Sequence, residues 1–251
     1  MATLLLRLAG PQQSWGDSSR FNHRATRREP TKSGVVGLLA SAMGRARTEP
    51  VADLAALEFA VRTDQAGRVE QDFHTVIDWE ERAKNVKNGG YPLTYRDYLT
   101  DACFLAVLEG DDELINAAAE ALKAPAFPLF LGRRSCPPGR PVLIGVTDAG
   151  LDEALAQTPW LAEDWYRRRH PAGDTVTLAV TRDAAEGQSA HEMIRDVPVC
   201  FEFGRTRHEL RGVVHGYVEA PADGPGAAGT HFTPIGPTGA DHDPFALMGG
   251  S

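Results

Sequence analysis

"TLLLRLAGPQQSWGDSSRFNHRATRREPTKSGVVGLLASAMG" spans residues 3–44. Its first six residues are nearly all apolar, the pattern of a buried strand. A polar loop follows, and then a helix. Thr31, after Pro30, is placed to cap that helix, and Gly44 is placed to stop it. Val35, Leu38, Leu39, Ala42 and Met43 recur at i, i+3, i+4, i+7 and i+8, which makes one core-facing stripe. Gly34, Gly37 and Ser41 fall on another face. Glycine inside a helix costs about 1 kcal/mol against alanine. Two of them imply that something approaches closely, either a packed neighbour or a ligand.

Lys32-Ser33 before an apolar run invites a P-loop reading. That motif needs glycine six residues and one residue before its lysine. Thr26 and Thr31 stand there, so the backbone cannot wrap a triphosphate and the reading fails. What survives is a helix start with free N–H groups and a partial positive charge. Thr31, Lys32 and Ser33 add donors there, with Arg24, Arg27 and Arg28 ahead of it. Such a set suits a nucleic-acid backbone phosphate better than a bound nucleotide.

Working outward, "LEFAVRTD" (57–64) reads as a second strand. "DFHTVID" and "LTYRDYL" are strand-like ends around a polar, lysine-bearing middle with Gly89-Gly90, so residues 71–99 read as a long β-hairpin. "ACFLAVLEG" (102–110) is a buried strand. "DDELINAAAEALK" (111–123) is a helix with acids in its first turn and Lys123 at its end, matching the helix dipole. "FPLFLGRRSCPPG" (127–139) reads as a strand ending in a basic turn, and "PVLIGV" (141–146) as the next strand. The order strand, helix, strand, hairpin, strand, helix, strand is that of an α+β, ferredoxin-like (RRM-type) domain over 1–147 with a protruding hairpin. Residues 148–219 add a short helix and the strands "TVTLAVT", "VPVCFEF" and "LRGVVHGYVE", a smaller, mainly β region. Residues 220–251 are rich in Gly, Pro and Ala without periodicity and read as a disordered tail.

Charge and chemistry narrow the function. Of the 251 residues, 42% are hydrophobic, and the net charge is −8. Yet residues 1–50 carry eight Lys/Arg against three acids, and the remainder carries 18 against 31. The imbalance fits a local anionic partner or a solvated charged loop. Cys103, Cys136 and Cys200 are odd in number and widely spaced, which speaks for free thiols over a disulfide framework or zinc site. "HEMIR" (191–195) has Arg195 where a zincin has its second histidine, so no metal is expected. "YRRRH" (166–170) reads as a solvated basic face. In "FLGRRSCPP" the guanidiniums of Arg133 and Arg134 sit on a tight turn, suited to phosphates and bases or to local acids. No apolar run has the length of a membrane span, and the start reads as a cytoplasmic N-terminus.

"LRLAGPQQSWG", "RREPTKSGVVGLLASAMG", "DFHTV", "YRDYL", "DACF" and "PLFLGRRSCPP", in that order over residues 1–147, together resemble the type I-E branch of the Cas-five family of CRISPR-associated proteins. The resemblance implies a non-catalytic subunit of the Cascade complex that holds the 5′ handle of the guide RNA and caps the assembly in antiviral defence. It implies contacts with the backbone subunit CasC and the large subunit CasA, and only indirect contact with target DNA. It implies no cofactor, since guide-RNA cleavage in such systems is assigned to another subunit. The alternative is a metal-independent endoribonuclease acting on repeat RNA. On this reading the RNA-binding set is Ser14, Trp15, Arg20, Arg24, Arg27, Arg28, Thr31, Lys32, Ser33, His74, Tyr95, Arg96, Arg133, Arg134 and Ser135. Trp15 either stacks on a base or plugs the core. Trp79, Arg82, Lys84 and Lys87 would lie on the hairpin thumb that meets the neighbouring subunit.

Overall fold

The computed structural model of the chain describes residues 1–16, 22–76, 93–223 and 232–235. Strand β1 (Ala2–Ala9) is the second strand from one edge of the main sheet. It pairs antiparallel with β7 (Cys103–Gly110) on one side and with β8 (Leu143–Thr147) on the other. Strand β4 (Glu58–Gln65) pairs antiparallel with the far edge of β7. Helix α1 (Lys32–Ala42) links β1 to β4, and α3 (Asp112–Lys123) links β7 to β8. These six elements therefore follow the order βαββαβ, with their strands arranged 4-1-3-2 across the sheet.

Alternation along the strands explains why they read as continuous apolar runs. Successive side chains point to opposite faces. Leu4, Leu6 and Leu8 of β1, Phe59 and Val61 of β4, and Phe104, Ala106 and Leu108 of β7 enter one core with α1, α3 and the short helix α2 (Ala52–Ala55). Ala60, Leu105 and Val107 enter a second core on the other face. That core is closed by α4 (Leu151–Gln157) and by Trp160, just ahead of α5 (Asp164–Arg169). Both faces are covered, so residues of both registers are buried, and in β4 the second face also holds the buried Arg62–Asp64 ion pair.

Helix α1 starts and stops where expected. The Thr31 Oγ1 accepts from the Gly34 N–H at 3.3 Å, and Met43 is the C-cap, followed by Gly44 at φ 76°. Helix α3 is capped by Asp111, whose carboxylate accepts from the Leu114 N–H at 3.0 Å.

Beyond residue 147 the sheet continues without a break. Strand β9 (Thr175–Asp183) pairs with β4, then β11 (Arg207–Pro221) with β9, and β10 (Glu192–Cys200) with β11. The expected smaller region of 148–219 thus extends the first sheet and also supplies α4 and α5. Its strands had to satisfy their edge hydrogen bonds somewhere, and the open edge of β4 offered the partner. The first residues of the expected tail are ordered: β11 runs to Pro221, and β12 (Thr233–Pro234) pairs with Gly216 and Tyr217. The rest of that tail lies outside the described residues.

A second, smaller sheet holds the hairpin stem. Strand β5 (Arg68–His74) pairs antiparallel with β6 (Thr94–Thr100), from Arg68 opposite Thr100 to His74 opposite Thr94. The other edge of β6 takes β2 (Gln12–Gln13) and β3 (His23–Arg24). Every residue of β5 is exposed, whereas Tyr98 and Leu99 of β6 reach the first core. The hairpin tip, residues 77–92, lies outside the described residues. The expected strand over 127–131 does not form. Pro128 lacks a ladder donor, and Leu131 instead pairs its backbone with Ser14 and Cys136.

Candidate functional site

The basic stretch before α1 is mostly spent on the fold. The Lys32 N–H donates to Asp196 Oδ2 at 2.8 Å, so a carboxylate of the chain itself occupies the helix N-terminus. The Lys32 ammonium reaches Asp183 at 2.9 Å. Arg211 joins the two acids, donating from Nε to Asp196 at 2.7 Å and from a terminal nitrogen to Asp183. Asp183 also accepts from the Phe59 N–H at 3.1 Å. Two cations and two anions thus tie α1 to β9, β10 and β11. Burial works against the Arg211 charge, but Asp196 and Asp183 outweigh it and raise its pKa.

A second ionic group forms around Arg27, five residues upstream of Lys32 in the loop before α1. Arg27 donates to both oxygens of Glu192, at 2.9 and 3.1 Å. His215 stands 3.5 Å from the same carboxylate. The His215 contact, with Arg27, holds Glu192 down at about 2. Burial pushes the Glu29 carboxyl upward, opposed by a hydrogen bond with Thr181.

Other expected site residues are structural as well. Trp15 is 1% exposed: it plugs the core beneath α1, and its Nε1 donates to Gln13 Oε1 at 3.0 Å. Gly34 covers the ring so closely that a methyl there would stand 2.7 Å away. Ser14 and Thr31 are buried, Ser14 donating to the Asp97 carbonyl and Thr31 capping the helix, where its Oγ1 also sits 3.4 Å from the Ser33 Oγ. Arg133 donates to the carbonyls of Asp97 and Arg24 and lies 4.9 Å over the Tyr98 ring, which fastens the hairpin stem to the body. Tyr98 is itself buried.

The remaining expected residues lie at the surface. Arg24, Arg28, Arg134 and Ser135 are exposed, and Tyr95 is partly so. His74 is exposed, with Nδ1 3.4 Å from the Arg96 guanidinium. Arg20, Trp79, Arg82, Lys84 and Lys87 lie outside the described residues.

A feature that the linear sequence does not reveal sits on the glycine face of α1. Ser33, Gly34, Gly37, Ala40 and Ser41 form the floor of a groove of about 730 Å³. One wall comes from Phe127 to Phe130 with Gly132 and Arg134, another from Phe201, Thr206 and His208, and a third from Arg45 to Arg47 with Val51. Gly132, at φ 83°, lets the Arg133–Arg134 turn pass directly over the Ser14 carbonyl. Arg45 is engaged with Asp53. Arg47 and Arg134 are exposed and make no ion pair or hydrogen bond with any described residue. Desolvation lowers the pKa of His208 and so favours its neutral form. Arg47, Phe127, Phe201 and His208 were missed because they come from separate segments. Only the Gly34/Gly37/Ser41 face hinted at the groove.

Among the described residues no group of three or more His, Cys, Asp or Glu could hold a metal ion, and no helix is long and apolar enough to cross a membrane. The three cysteines are free.

Comparison with known proteins fits this picture. A family model described as CRISPR-associated protein (Cas_Cas5) matches residues 3–214. The CRISPR system Cascade subunit CasD of Escherichia coli strain K12 is 37% identical over 161 residues, which is 58% of this chain and 71% of that protein. A chain in a solved CRISPR RNA-guided surveillance complex superposes with a TM-score of 0.71 at 31% identity, covering 90% of this chain and 95% of its own length. A crystal structure of a Cas protein gives a TM-score of 0.65 at 39% identity, covering 88% and 95%.

Proposed function

The chain belongs to the CRISPR-associated Cas5 family, and from that premise we propose that it is a non-catalytic Cascade subunit that holds the 5′ handle of the guide RNA and caps the assembly. In this reading the βαββαβ body is a ferredoxin-like, RRM-type domain. The β5–β6 stem is the root of a thumb directed at a neighbouring subunit, with CasC and CasA as the expected neighbours. Its place of action is the cytoplasm.

One observation carries the proposal: the groove on the glycine face of α1, where Arg47 and Arg134 have no partner within the described chain. Single-stranded RNA is held by phosphate donors together with stacking and edge contacts to splayed bases. Arg47 and Arg134 supply the first. Phe127, Phe201 and His208 supply surfaces for the second. The glycine floor lets a sugar–phosphate chain come close to the helix.

Nothing in the site favours the endoribonuclease alternative. His23 is held by Asp97 at 2.8 Å, and His74 faces Arg96. The two described lysines, Lys32 and Lys123, are committed to Asp183 and Glu120.

The test is the salt dependence of binding to handle RNA by the full chain. Replacing both Arg47 and Arg134 by alanine removes two phosphate contacts. The slope of log K against log salt then falls by about 0.7 per contact, and the RNA is recovered intact. An unchanged slope contradicts the groove assignment. Cleavage at a single site contradicts the non-catalytic reading.

A further inference from the structure

The connection between β10 and β11 forms one wall of the groove and then runs past it. At its tip Phe203 is 91% exposed, the most exposed large hydrophobic side chain among the described residues. The turn that presents it is well built. The Arg205 N–H donates to the Glu202 carbonyl at 3.0 Å, and the Thr206 hydroxyl donates to the same carbonyl at 3.2 Å. Gly204 follows Phe203 with φ 78°, the left-handed backbone that a type II turn requires at its third position. The Glu202 N–H is satisfied by the Cys200 Sγ at 3.4 Å. The ring is therefore held outward by a closed turn.

The root of this finger is fixed to the groove. The Phe201 ring lies 3.6 Å from where a methyl on Gly37 would sit and meets His208 edge-on, with ring centroids 6.3 Å apart. The tip is basic. Arg207 is exposed and pairs with no described side chain, and Arg205, with its side chain 79% exposed, has only a 3.6 Å contact to Glu202. A ring docking into a protein pocket would be expected to carry an apolar rim. Here the residues flanking it along the turn are Glu202, Gly204, Arg205, Thr206 and Arg207. An exposed ring on a turn that also carries two guanidiniums, beside a cationic groove, is the combination that stacks unpaired bases and neutralises their phosphates.

We propose that the β10–β11 turn is a base-stacking finger: Phe203 stacks on an unpaired nucleobase of the RNA in the groove, and Arg205 and Arg207 contact the flanking phosphates. The proposal rests on the groove reading above and adds a site to it.

The test uses the full chain and handle RNA from the host's own repeat, with 2-aminopurine placed at one position at a time. One position is quenched on binding to the wild-type protein. Phe203→Ala abolishes that quench and weakens binding roughly 5- to 160-fold, the range of a lost base–aromatic stack. Phe203→Trp preserves both. Arg134→Ala serves as the groove control. If Phe203→Ala keeps the quench and the affinity while Arg134→Ala weakens binding, the finger is wrong and the groove stands. If Phe203→Ala binds RNA normally but no longer joins the assembled complex, the ring docks on protein and the proposal is overturned. If the wild type binds no handle RNA at low salt, the groove reading falls and the finger falls with it.

Discussion

The N-terminus of α1 and its glycine face lie within two helical turns of each other, yet they treat charge in opposite ways. At the N-terminus Lys32 is 7% exposed in its side chain and is locked to Asp183, while Asp196 accepts the first helix N–H. On the glycine face Arg47 and Arg134 are open to solvent with no partner in the described chain. The first region uses its cations to hold the C-terminal strands to the body. The second keeps its cations available. A run of basic residues in a sequence therefore says little about ligands until their carboxylate partners are known. Those partners can be some 150 to 165 residues away, as Asp183 and Asp196 are from Lys32.

The largest expected effect comes from breaking the buried side of this contrast. Arg211→Met leaves Asp183 and Asp196 without their shared guanidinium. Removing one partner of a buried ion pair costs about 3–5 kcal/mol. Denaturant unfolding should show a lower midpoint with an unchanged slope, and RNA affinity measured below the transition should be retained. A loss of affinity with unchanged stability would place the network in the binding site.

The glycine face allows a sharper comparison. Gly34→Ala puts a methyl 2.7 Å from the Trp15 ring. The ring is packed on all sides, so overpacking should cost about 1–3 kcal/mol and exceed the gain in helix propensity. Gly37→Ala meets only Phe201 at 3.6 Å, an ordinary contact. It should stabilise the chain by up to about 1 kcal/mol while raising the groove floor and weakening RNA binding. Equal effects of the two substitutions on stability would remove the distinction between a packed glycine and an open one.

The smallest effect is one of pH. The carboxyl of Glu192, held by His215 and Arg27, is lowered from 4.5 to about 2. A depressed carboxyl contributes stability that is complete above its unfolded value and is lost as pH falls through the folded one. Wild-type stability should therefore decline between about pH 4.5 and 2 more steeply than that of Glu192→Gln. Glu29 shifts the other way because burial raises it, but it is common to both proteins and cancels in the difference. Parallel acid limbs would show that the Arg27–Glu192 pair contributes nothing to folding.

Much of the fold could be read directly. The 3.6-residue stripe of α1, the Thr31 cap and the Gly44 stop, the acidic first turn of α3 and the apolar runs of β1, β4 and β7 are local signals, and each appears in the structure. Two features that local signals did not convey have a common physical origin. The strand expected at 127–131 has apolar residues but no available sheet edge, so its backbone pairs with Ser14 and Cys136. The smaller, mainly β region expected after residue 147 has a strand, β9, whose partner, β4, lies more than 100 residues earlier. Strand partners far apart in the chain leave no periodic trace. The site was legible in the same uneven way. Arg134 and the glycine face could be named. Lys32 could not be discounted without Asp183, and Phe203 was hidden because "VPVCFEF" reads as an unbroken strand until Gly204 turns it.

The central claim is that RNA lies in the groove on the glycine face of α1 and not at the helix N-terminus. Photo-crosslinking of 4-thiouridine handle RNA to the full chain, with peptide identification by mass spectrometry, tests this directly. Crosslinks are expected within residues 127–134 and 201–208, and they should fade when Arg47 and Arg134 are both replaced by alanine. Crosslinks confined to the strands around Asp183, Asp196 and Arg211, with the groove segments unmarked, would contradict it.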